Sequence, residues 1–250
     1  MDQQIIFQRL NALLASGRMS EMRGALLMLN PVDIAQYLSS LETENLLRVF
    51  RILPGDCSAD VFSYMDDEQR RKLIESIGDK EVGALVDDMF VDDAVDFLAE
   101  TPAGLVRRVL ANVSEDQRKV INRILSYPDN SAGSIMTIEY CRLPLGTTVA
   151  EAMDDIRANG VDKETINTCY VIDKGRLIGA LSLRTLILSD DDDVIEDIME
   201  PNVISVTTSE DQETVAQMFS KYNFNALPVV DTENRLVGIV TVDDAIDVME

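Results

Sequence analysis

A short apolar run, Arg176-Leu177-Ile178-Gly179-Ala180-Leu181-Ser182, returns 59 positions later as Arg235-Leu236-Val237-Gly238-Ile239-Val240-Thr241. A polar turn and a second apolar run precede each copy, and a stretch with helical periodicity lies further upstream. Two apolar runs joined by a short polar turn are typical of a β-hairpin. The second half of the chain is therefore predicted to be a duplicated β-α-β-β-α unit. The predicted helices are Val149–Asn159 and Thr214–Asn223, and the predicted final strands are Leu177–Leu181 and Leu236–Val240.

The first half of the chain has a different repeat, in which apolar residues return every twelve positions. They occupy positions i, i+1 and i+4 of each unit, which form one face of a short helix. The first two positions are Tyr37-Leu38, Val49-Phe50, Val61-Phe62, Leu73-Ile74, Leu85-Val86, Phe97-Leu98, Val109-Leu110 and Ile121-Asn122. Such a unit cannot bury its apolar face alone, so neighbouring units must stack. Residues 1–130 are predicted to form a right-handed superhelix of short α-helices; the alternative is an ordinary bundle with accidental periodicity.

The composition limits the chemistry of the chain. Its 250 residues include 45 acidic and 22 basic side chains and no histidine, for a formal charge of −23. The absence of histidine excludes a Ser-His-Asp triad and a histidine-ligated zinc site. The negative charge repels a phosphate backbone, so cations are expected as partners and nucleic acid is not. Cys57, Cys141 and Cys169 have no C-x-x-C spacing and are expected to be reduced, apolar-packed thiols of a cytosolic protein.

The second repeat carries an apolar-Pro-Val-Val-Asp motif at Leu227–Asp231, followed by Gly-Ile-Val-Thr-x-x-Asp within Arg235–Asp244. These residues resemble the CBS domain, a regulatory module that occurs in tandem pairs. The order of the helical repeat, the linker Tyr127–Thr137 and two such units resembles the cytosolic N-terminal half of the MgtE family of magnesium channels. The resemblance implies a superhelical N domain over residues 1–130, a first CBS domain over 131–198 and a second over 199–250.

The resemblance also implies a function. MgtE-like sensors bind Mg²⁺ between acidic faces of the N domain and the CBS pair, and the bound ions close the pore when intracellular Mg²⁺ is high. The chain is then expected to be a homodimer through its CBS domains, on the cytoplasmic side of the membrane, joined to a C-terminal transmembrane pore domain. An enzyme is not expected, because the sequence shows no Gly-rich phosphate loop and no nucleophile–base pair.

Four aspartates match the two principal acidic strips of the family. Asp92 and Asp96 lie four residues apart, so they share one helical face and can both reach a cation. Asp244 and Asp247 are the expected ligands on the last helix. Carboxylate oxygens suit Mg²⁺, a hard cation that keeps several waters. The alternative interpretation is that Asp92 and Asp93 in one helix, and Asp243 or Asp244 in the other, are helix caps or first-turn acids, which the helix dipole favours.

Further family positions have more than one interpretation. Asp211 and Glu213 fall on metal positions but also suit the first turn of a helix. Asn223 stands where the family pattern has an aspartate, so an amide oxygen replaces a charged ligand. The backbone carbonyl near Ser134 is one more expected ligand. The acidic run Asp190–Asp193 is interpreted as a solvated linker.

An adenine nucleotide is the rival ligand, because many CBS pairs bind one in the cleft between their repeats. In such sites the aspartate of Thr-x-x-Asp contacts the ribose. The second repeat has Thr241 and Asp244, but the first has Ser182 and Thr185 and lacks the acid. Arg184 and Phe224 are the residues expected to meet the phosphate and the base if ATP binds.

Overall fold

The computed structural model describes residues 3–249 and divides into two compact units. The first unit comprises the chain through Met89 together with Phe97–Arg118. The second unit comprises Phe90–Asp96 and the chain from Lys119 onward. The second unit thus includes a short segment of the helical repeat, residues 90–96, in addition to the duplicated β-α-β-β-α region.

The helical region consists of short α-helices in a strict register. Their bounds are α1 Gln3–Ala15, α2 Met19–Leu26, α3 Pro31–Ser39, α4 Thr43–Phe50, α5 Gly55–Ser63, α6 Asp67–Ser76, α7 Asp79–Asp87, α8 Val91–Glu100, α9 Ala103–Leu110 and α10 Glu115–Ile124. From α3 to α10, each helix begins twelve residues after the one before it. The periodicity in the sequence is therefore structural, and the alternative of accidental periodicity is wrong.

The apolar positions of the repeat form the core of the first unit. Val49, Val61, Phe62 and Val86 have no exposed surface, and most of their counterparts in the other repeats are also buried, whereas Asn122 is exposed. Alternate helices pack against one another: α3 against α5, α4 against α6, α5 against α7 and α7 against α9. A two-turn helix buries its apolar face only through such neighbours, so the stacking is what makes the short units stable.

The second unit contains two three-stranded sheets with the same topology. The first repeat comprises β1 Tyr140–Pro144, α11 Val149–Asn159, β2 Thr165–Asp173, β3 Arg176–Ser182, α12 Leu183–Leu188 and α13 Ile195–Ile198. The second repeat comprises β4 Val206–Thr207, α14 Gln212–Tyr222, β5 Ala226–Val230, β6 Leu236–Thr241 and α15 Val242–Met249. In each sheet the first strand is parallel to the middle strand, and the middle strand is antiparallel to the last. The predicted duplicated β-α-β-β-α unit is confirmed.

The hairpin of the first repeat follows directly from its turn residues. Asp173 pairs with Arg176, so only Lys174 and Gly175 form the loop. Both have positive φ, 49° and 86°, as a type I′ turn requires. Asn234 likewise has a φ of 61° at the end of the longer second turn. Asparagine and glycine tolerate this conformation better than other residues, which is why the turn signals could be recognised in the sequence.

Each sheet also receives a linker that the sequence did not indicate. Thr137, which precedes the first repeat, forms two backbone hydrogen bonds with Ile239 of β6, at 2.8 and 2.9 Å. Glu200, which precedes the second repeat, forms the equivalent pair with Ala180 of β3, at 2.8 and 3.0 Å. The linker before each repeat therefore adds to the sheet of the other repeat and ties the two together.

Glycines in the two last strands make room for these linkers, and they provide a prediction. A Cβ at Gly238 would lie 2.7 Å from the carbonyl oxygen of Thr137, which is held in its hydrogen bond to Ile239. A Cβ at Gly179 would meet only the flexible side chain of Met199. We expect Gly238→Ala to lower the free energy of unfolding by about 2–3 kcal/mol and Gly179→Ala by about 1 kcal/mol. Urea unfolding of both variants checks this, and equal losses would contradict it.

Candidate functional site

Carboxylates from three distant segments of the second unit lie close together, and we call them the acidic cluster. Its members are Asp92 and Asp93 in the first turn of α8, Glu164 just before β2, and Asp243 and Asp244 in the first turn of α15. Each helix begins with two acids because the dipole favours negative charge there. The fold brings two such helix starts and the residue before one strand close together. The acids that each helix start favours locally therefore add up to a high density of negative charge.

Asp92 is the most buried acid of the cluster, with an exposed fraction of 7%. Burial, followed by the neighbouring carboxylates of Asp244 and Glu164, raises the pKa of Asp92 well above its usual range. One hydrogen bond opposes this, because the backbone N–H of Asp93 donates to Oδ1 of Asp92 at 3.0 Å. A single hydrogen bond of this kind is common for an acid in the first turn of a helix. It does not offset the free-energy cost of burying a charged carboxylate.

Asp244 is held in place by Thr241, the residue at the start of its helix. The Thr241 hydroxyl donates to Oδ2 of Asp244 at 2.5 Å, and the Thr241 backbone N–H donates to the same oxygen at 3.2 Å. These bonds lower the pKa of Asp244, but burial raises it more strongly, and Asp243 and Asp96 add to the rise. The resulting pKa is about 7. Asp244 is therefore both a capping residue and a member of the cluster.

Glu164 is a member of the cluster to which the sequence analysis assigned no role. Burial raises its pKa to about 8, with further contributions from Asp243, Asp93, Asp244 and Glu139. Its Oε2 atom is buried and has no hydrogen-bond partner in the structure. A buried acceptor without a donor costs free energy unless a proton, water or cation satisfies it.

The donor set of the cluster suits a hard divalent cation. Every donor atom is a carboxylate oxygen, and a cation would relieve the repulsion that raises the three pKa values. In the part of the chain that the structure describes, however, no group of three or more acidic or cysteine side chains is arranged to hold a metal ion. The arrangement therefore fits ligation by one or two carboxylates with retained waters, which is the usual coordination of Mg²⁺.

The remaining sequence-predicted metal residues lie in other settings. Asp96 is close enough to Asp244 to raise its pKa, and Asp247 is on the same helix as Asp244. Asp211 caps α14, accepting from the backbone N–H groups of Glu213 at 3.0 Å and Thr214 at 3.2 Å. The structure thus brings together Asp92, Asp96 and Asp244, and it gives Asp211 the capping role that was the alternative.

Ser134 and Asn223 have local structural roles as well. The Ser134 hydroxyl donates to the carbonyl of Ser131 at 2.8 Å, within the loop that pairs with the start of α14 near Asp211. Asn223 ends α14 with a φ of 57°. This is a left-handed conformation, which asparagine adopts more readily than most other residues at a helix end.

A separate cavity of about 550 Å³ lies between the two repeats of the second unit. Its lining includes Phe224, Asn223, Thr185 and Tyr170. The hydroxyl of Tyr170 is buried and has no hydrogen-bond partner in the structure. Phe224 stacks on Tyr222 with ring centroids 5.3 Å apart. Arg184 is exposed and is not among the residues that line the cavity, unlike Phe224.

Comparison with known proteins gives the family. The model described as the MgtE intracellular N domain matches residues 29–130, and the CBS domain model matches residues 132–191 and 195–250. The crystal structure of the soluble part of a magnesium transporter is 33% identical, with a TM-score of 0.95 over 99% of this chain and 98% of that one. The chain belongs to the MgtE family. Within residues 3–249, every helix is too short or too polar to serve as a membrane span.

Two further MgtE proteins show the extent of the similarity. The cytosolic domain of the Mg²⁺ channel MgtE in complex with ATP is 36% identical, with a TM-score of 0.88 over 96% of this chain and 98% of that one. The magnesium transporter MgtE of Thermus thermophilus is 36% identical over 242 residues, which are 95% of this chain and 54% of that protein. The chain spans about half the length of the curated relatives that it matches.

In this MgtE-family chain, Glu164, Asp93 and Asp243 are the cluster members not selected from the sequence. Asp93 and Asp243 had been interpreted only as acids that start helices. Glu164 carries no motif, and it lies 72 positions from Asp92 and 80 from Asp244. No spacing rule links residues so far apart, so only the folded chain reveals that their carboxylates interact.

Proposed function

We propose that the chain is the Mg²⁺-sensing regulatory part of a magnesium transporter, on the cytosolic side of the membrane. The observation that carries the proposal is the acidic cluster, in which burial and mutual repulsion raise the pKa values of Asp92, Asp244 and Glu164 together. Such a cluster retains protons or binds cations, and Mg²⁺ is the abundant divalent cation that matches carboxylate oxygens. The MgtE membership supports the same choice of ion.

The cluster supplies a physical link between Mg²⁺ and conformation. A cation bound at Asp92 and Asp244 ties α8 to α15, with Asp96, Asp247 and Glu164 as neighbouring ligands directly or through water. When Mg²⁺ falls, the like charges repel and this contact weakens. In the full transporter, the bound state closes a C-terminal transmembrane pore and the metal-free state opens it. Asp211, Glu213, Asn223 and the carbonyl near Ser134 remain predicted positions for further ions.

The experiment that tests this function is a Mg²⁺ titration of the chain, from 0 to about 20 mM. Calorimetry measures the heat of binding, and small-angle X-ray scattering measures the radius of gyration. NaCl at equal ionic strength is the control, because screening alone compacts a chain of charge −23. We expect binding heat and a smaller radius of gyration with Mg²⁺ beyond the effect of NaCl. Identical scattering curves in the two salts, without binding heat, would rule out the sensor.

A nucleotide sensor is the second candidate, and the cavity between the repeats favours it. Phe224 offers an aromatic face to a base, and the buried Tyr170 hydroxyl lacks a partner that a ligand can provide. The MgtE cytosolic domain whose structure contains ATP supports the same interpretation. Against tight nucleotide binding, none of the described residues that line the cavity is a lysine or an arginine, and Thr185 stands in place of the ribose-binding acid.

Calorimetry with ATP, AMP and adenosine separates the possibilities at this cavity. We expect Phe224→Ala to weaken ATP binding about tenfold, since base stacking contributes roughly 1–3 kcal/mol. Tyr64→Ala, which removes an exposed aromatic ring in the first unit, is the matched control. Equal affinities of the two variants would exclude the cavity as the nucleotide site.

The chain is also proposed to act as a homodimer through its CBS repeats. Exposed apolar side chains occur on α12, at Ile187 and Leu188, and on α15, at Val242, Ile246 and Met249. Apolar surface of this kind on a regulatory module is typical of an interface. Sedimentation equilibrium of the chain and of Ile187→Asp tests this, and a monomeric wild type would contradict it.

A further inference from the structure

Two of the three cysteines face each other across neighbouring strands of the first repeat. Cys141 on β1 is the register partner of Cys169 on β2, in a parallel pairing. Both side chains are buried, with exposed fractions of 4% and 0%. Both belong to the same buried apolar cluster of the first repeat. β1 is an edge strand of the sheet order β1-β2-β3, so the pair connects the edge strand with the middle strand.

We infer that Cys141 and Cys169 form a dithiol that a two-electron oxidant converts into an intramolecular disulfide. Neighbouring strands place register partners about 4.8 Å apart at their Cα atoms. Disulfides span Cα separations of roughly 4.4–6.8 Å, a range that includes this strand spacing. The bond can therefore form without a change in the distance between the strands. The thiols already lie side by side, and the sheet holds them there. This is a modification site in the first repeat, separate from the acidic cluster.

The surroundings of the two thiols distinguish their roles. The Cys169 thiol donates to the carbonyl of Ile166 at 4.0 Å. The neighbouring Cys169 lowers the pKa of Cys141, although burial opposes this, whereas Cys141 and burial raise the pKa of Cys169. Cys141 is therefore the thiolate that attacks, because the thiolate is the nucleophile in sulfur chemistry. Cys169 keeps its proton and acts as the resolving thiol.

The reaction balances with hydrogen peroxide as the oxidant. The Cys141 thiolate displaces hydroxide from the peroxide O–O bond and becomes a sulfenic acid, and the hydroxide takes a proton to give water. Cys169 sulfur then attacks the sulfenic sulfur, its proton leaves with the departing hydroxide as a second water, and the S–S bond forms. The two thiols lose two electrons, and the peroxide gains them.

The disulfide would tie the first strand of the repeat to its middle strand. Tyr140 and Tyr170 directly neighbour the two cysteines, and their rings pack edge to face at 6.3 Å. Tyr170 also lines the cavity between the repeats. Oxidation therefore acts next to Tyr170, a residue that lines this cavity.

Cys57 provides the matched control. It lies on α5 in the first unit and is partly exposed. Burial and the carboxylates of Asp60 and Asp56 raise its pKa, which disfavours the reactive thiolate. No other described cysteine shares its unit, so Cys57 has no partner for a disulfide within it.

Peptide mapping of the folded chain tests the inference. Trypsin releases Cys141 within residues 124–142 and Cys169 within 164–174, whereas Cys57 is within 52–70. The native chain is treated with hydrogen peroxide, its remaining thiols are alkylated, and it is digested without reductant. We expect wild type and Cys57→Ser to lose two hydrogen atoms and to yield the peptide 124–142 linked to 164–174.

The variant Cys141→Ser and a long incubation in a redox buffer provide two further tests of the disulfide. Cys141→Ser is expected to keep its Cys169 thiol reduced under the same treatment, and dithiothreitol is expected to restore both thiols of the wild type. Long incubation in a glutathione redox buffer allows for slow access to buried thiols. Three alkylated cysteines after both treatments, or a linked peptide only in urea-unfolded chain, would overturn the inference.

Discussion

Replacing Asp92 with asparagine is expected to stabilise the metal-free chain and to remove most of its response to Mg²⁺. Asparagine keeps the size of the side chain and an oxygen that can accept the 3.0 Å hydrogen bond from the Asp93 N–H. It removes the most buried carboxylate of the acidic cluster and its repulsion of Asp244 and Glu164. We expect the free energy of unfolding to rise by about 1–3 kcal/mol at pH 8 without Mg²⁺.

The same substitution removes a ligand, so its effect reverses when Mg²⁺ is present. A ligand that binds only the folded state stabilises it in proportion to the logarithm of its concentration over Kd. We expect wild type to gain stability up to about 20 mM Mg²⁺ and Asp92→Asn to gain little. Urea unfolding with and without Mg²⁺, at constant ionic strength, measures both effects.

Asp192→Asn is the matched control, since it removes one carboxylate from the exposed acidic run of the linker. It makes the same change in net charge without touching the cluster. We expect its stability and its Mg²⁺ response to equal those of wild type. If the two variants behave alike, the effect of Asp92 is one of net charge, and the metal centre proposed here is wrong.

Stability of the metal-free chain is expected to fall as the pH rises from about 5 to about 8. The folded chain holds protons on Glu164, whose pKa is raised to about 8, and on Asp244, whose pKa is raised to about 7. The unfolded chain releases the same protons near pH 4 to 5. The folded state therefore binds more protons in this window, and linkage makes each rise in pH destabilising. The two shifts correspond to about 6 kcal/mol over this range, and solvent screening of the partly exposed Glu164 reduces the expected loss to about 2–4 kcal/mol.

Urea unfolding at intervals between pH 5 and pH 8.5, in the presence of a chelator, checks this dependence. Saturating Mg²⁺ is expected to flatten the plot of the free energy of unfolding against pH, because the cation neutralises the carboxylates in place of the protons. Glu164→Gln is expected to reduce the slope, and Glu44→Gln, which changes an exposed acid on α4, is expected to leave it unchanged. Stability that rises with pH over this range would refute the proton-holding cluster.

The local elements of the fold could be predicted from the sequence because their signals lie within a few residues. The twelve-residue period predicted the helical repeat, whose helices begin at that interval from α3 to α10. The prediction of helix Val149–Asn159 matches α11 at both ends, whereas the predicted start of the next helix, Thr214, lies two residues inside α14. Asp211 explains that difference, since it caps the helix from the position before Gln212.

The acidic cluster was only half visible in the sequence. Asp92, Asp96 and Asp244 were selected by their match to family positions, and the structure brings them together. Glu164 was not selected, because a single glutamate before a strand is an ordinary solvated residue until its surroundings are known. Arg184, the residue predicted to meet a phosphate, is exposed and outside the lining of the cavity.

The sequence by itself therefore determined the short helices, the duplicated unit, the turns and the excess of negative charge. Each of these depends on backbone preferences and apolar spacing among neighbouring residues. The tertiary structure alone decided that Glu164 joins Asp92 and Asp244, that Cys141 lies beside Cys169, and that Met136 and Met199 pack on Gly238 and Gly179. The physical reason is that pKa values, thiol pairing and close packing depend on distance and burial, which residues far apart in the chain acquire only on folding.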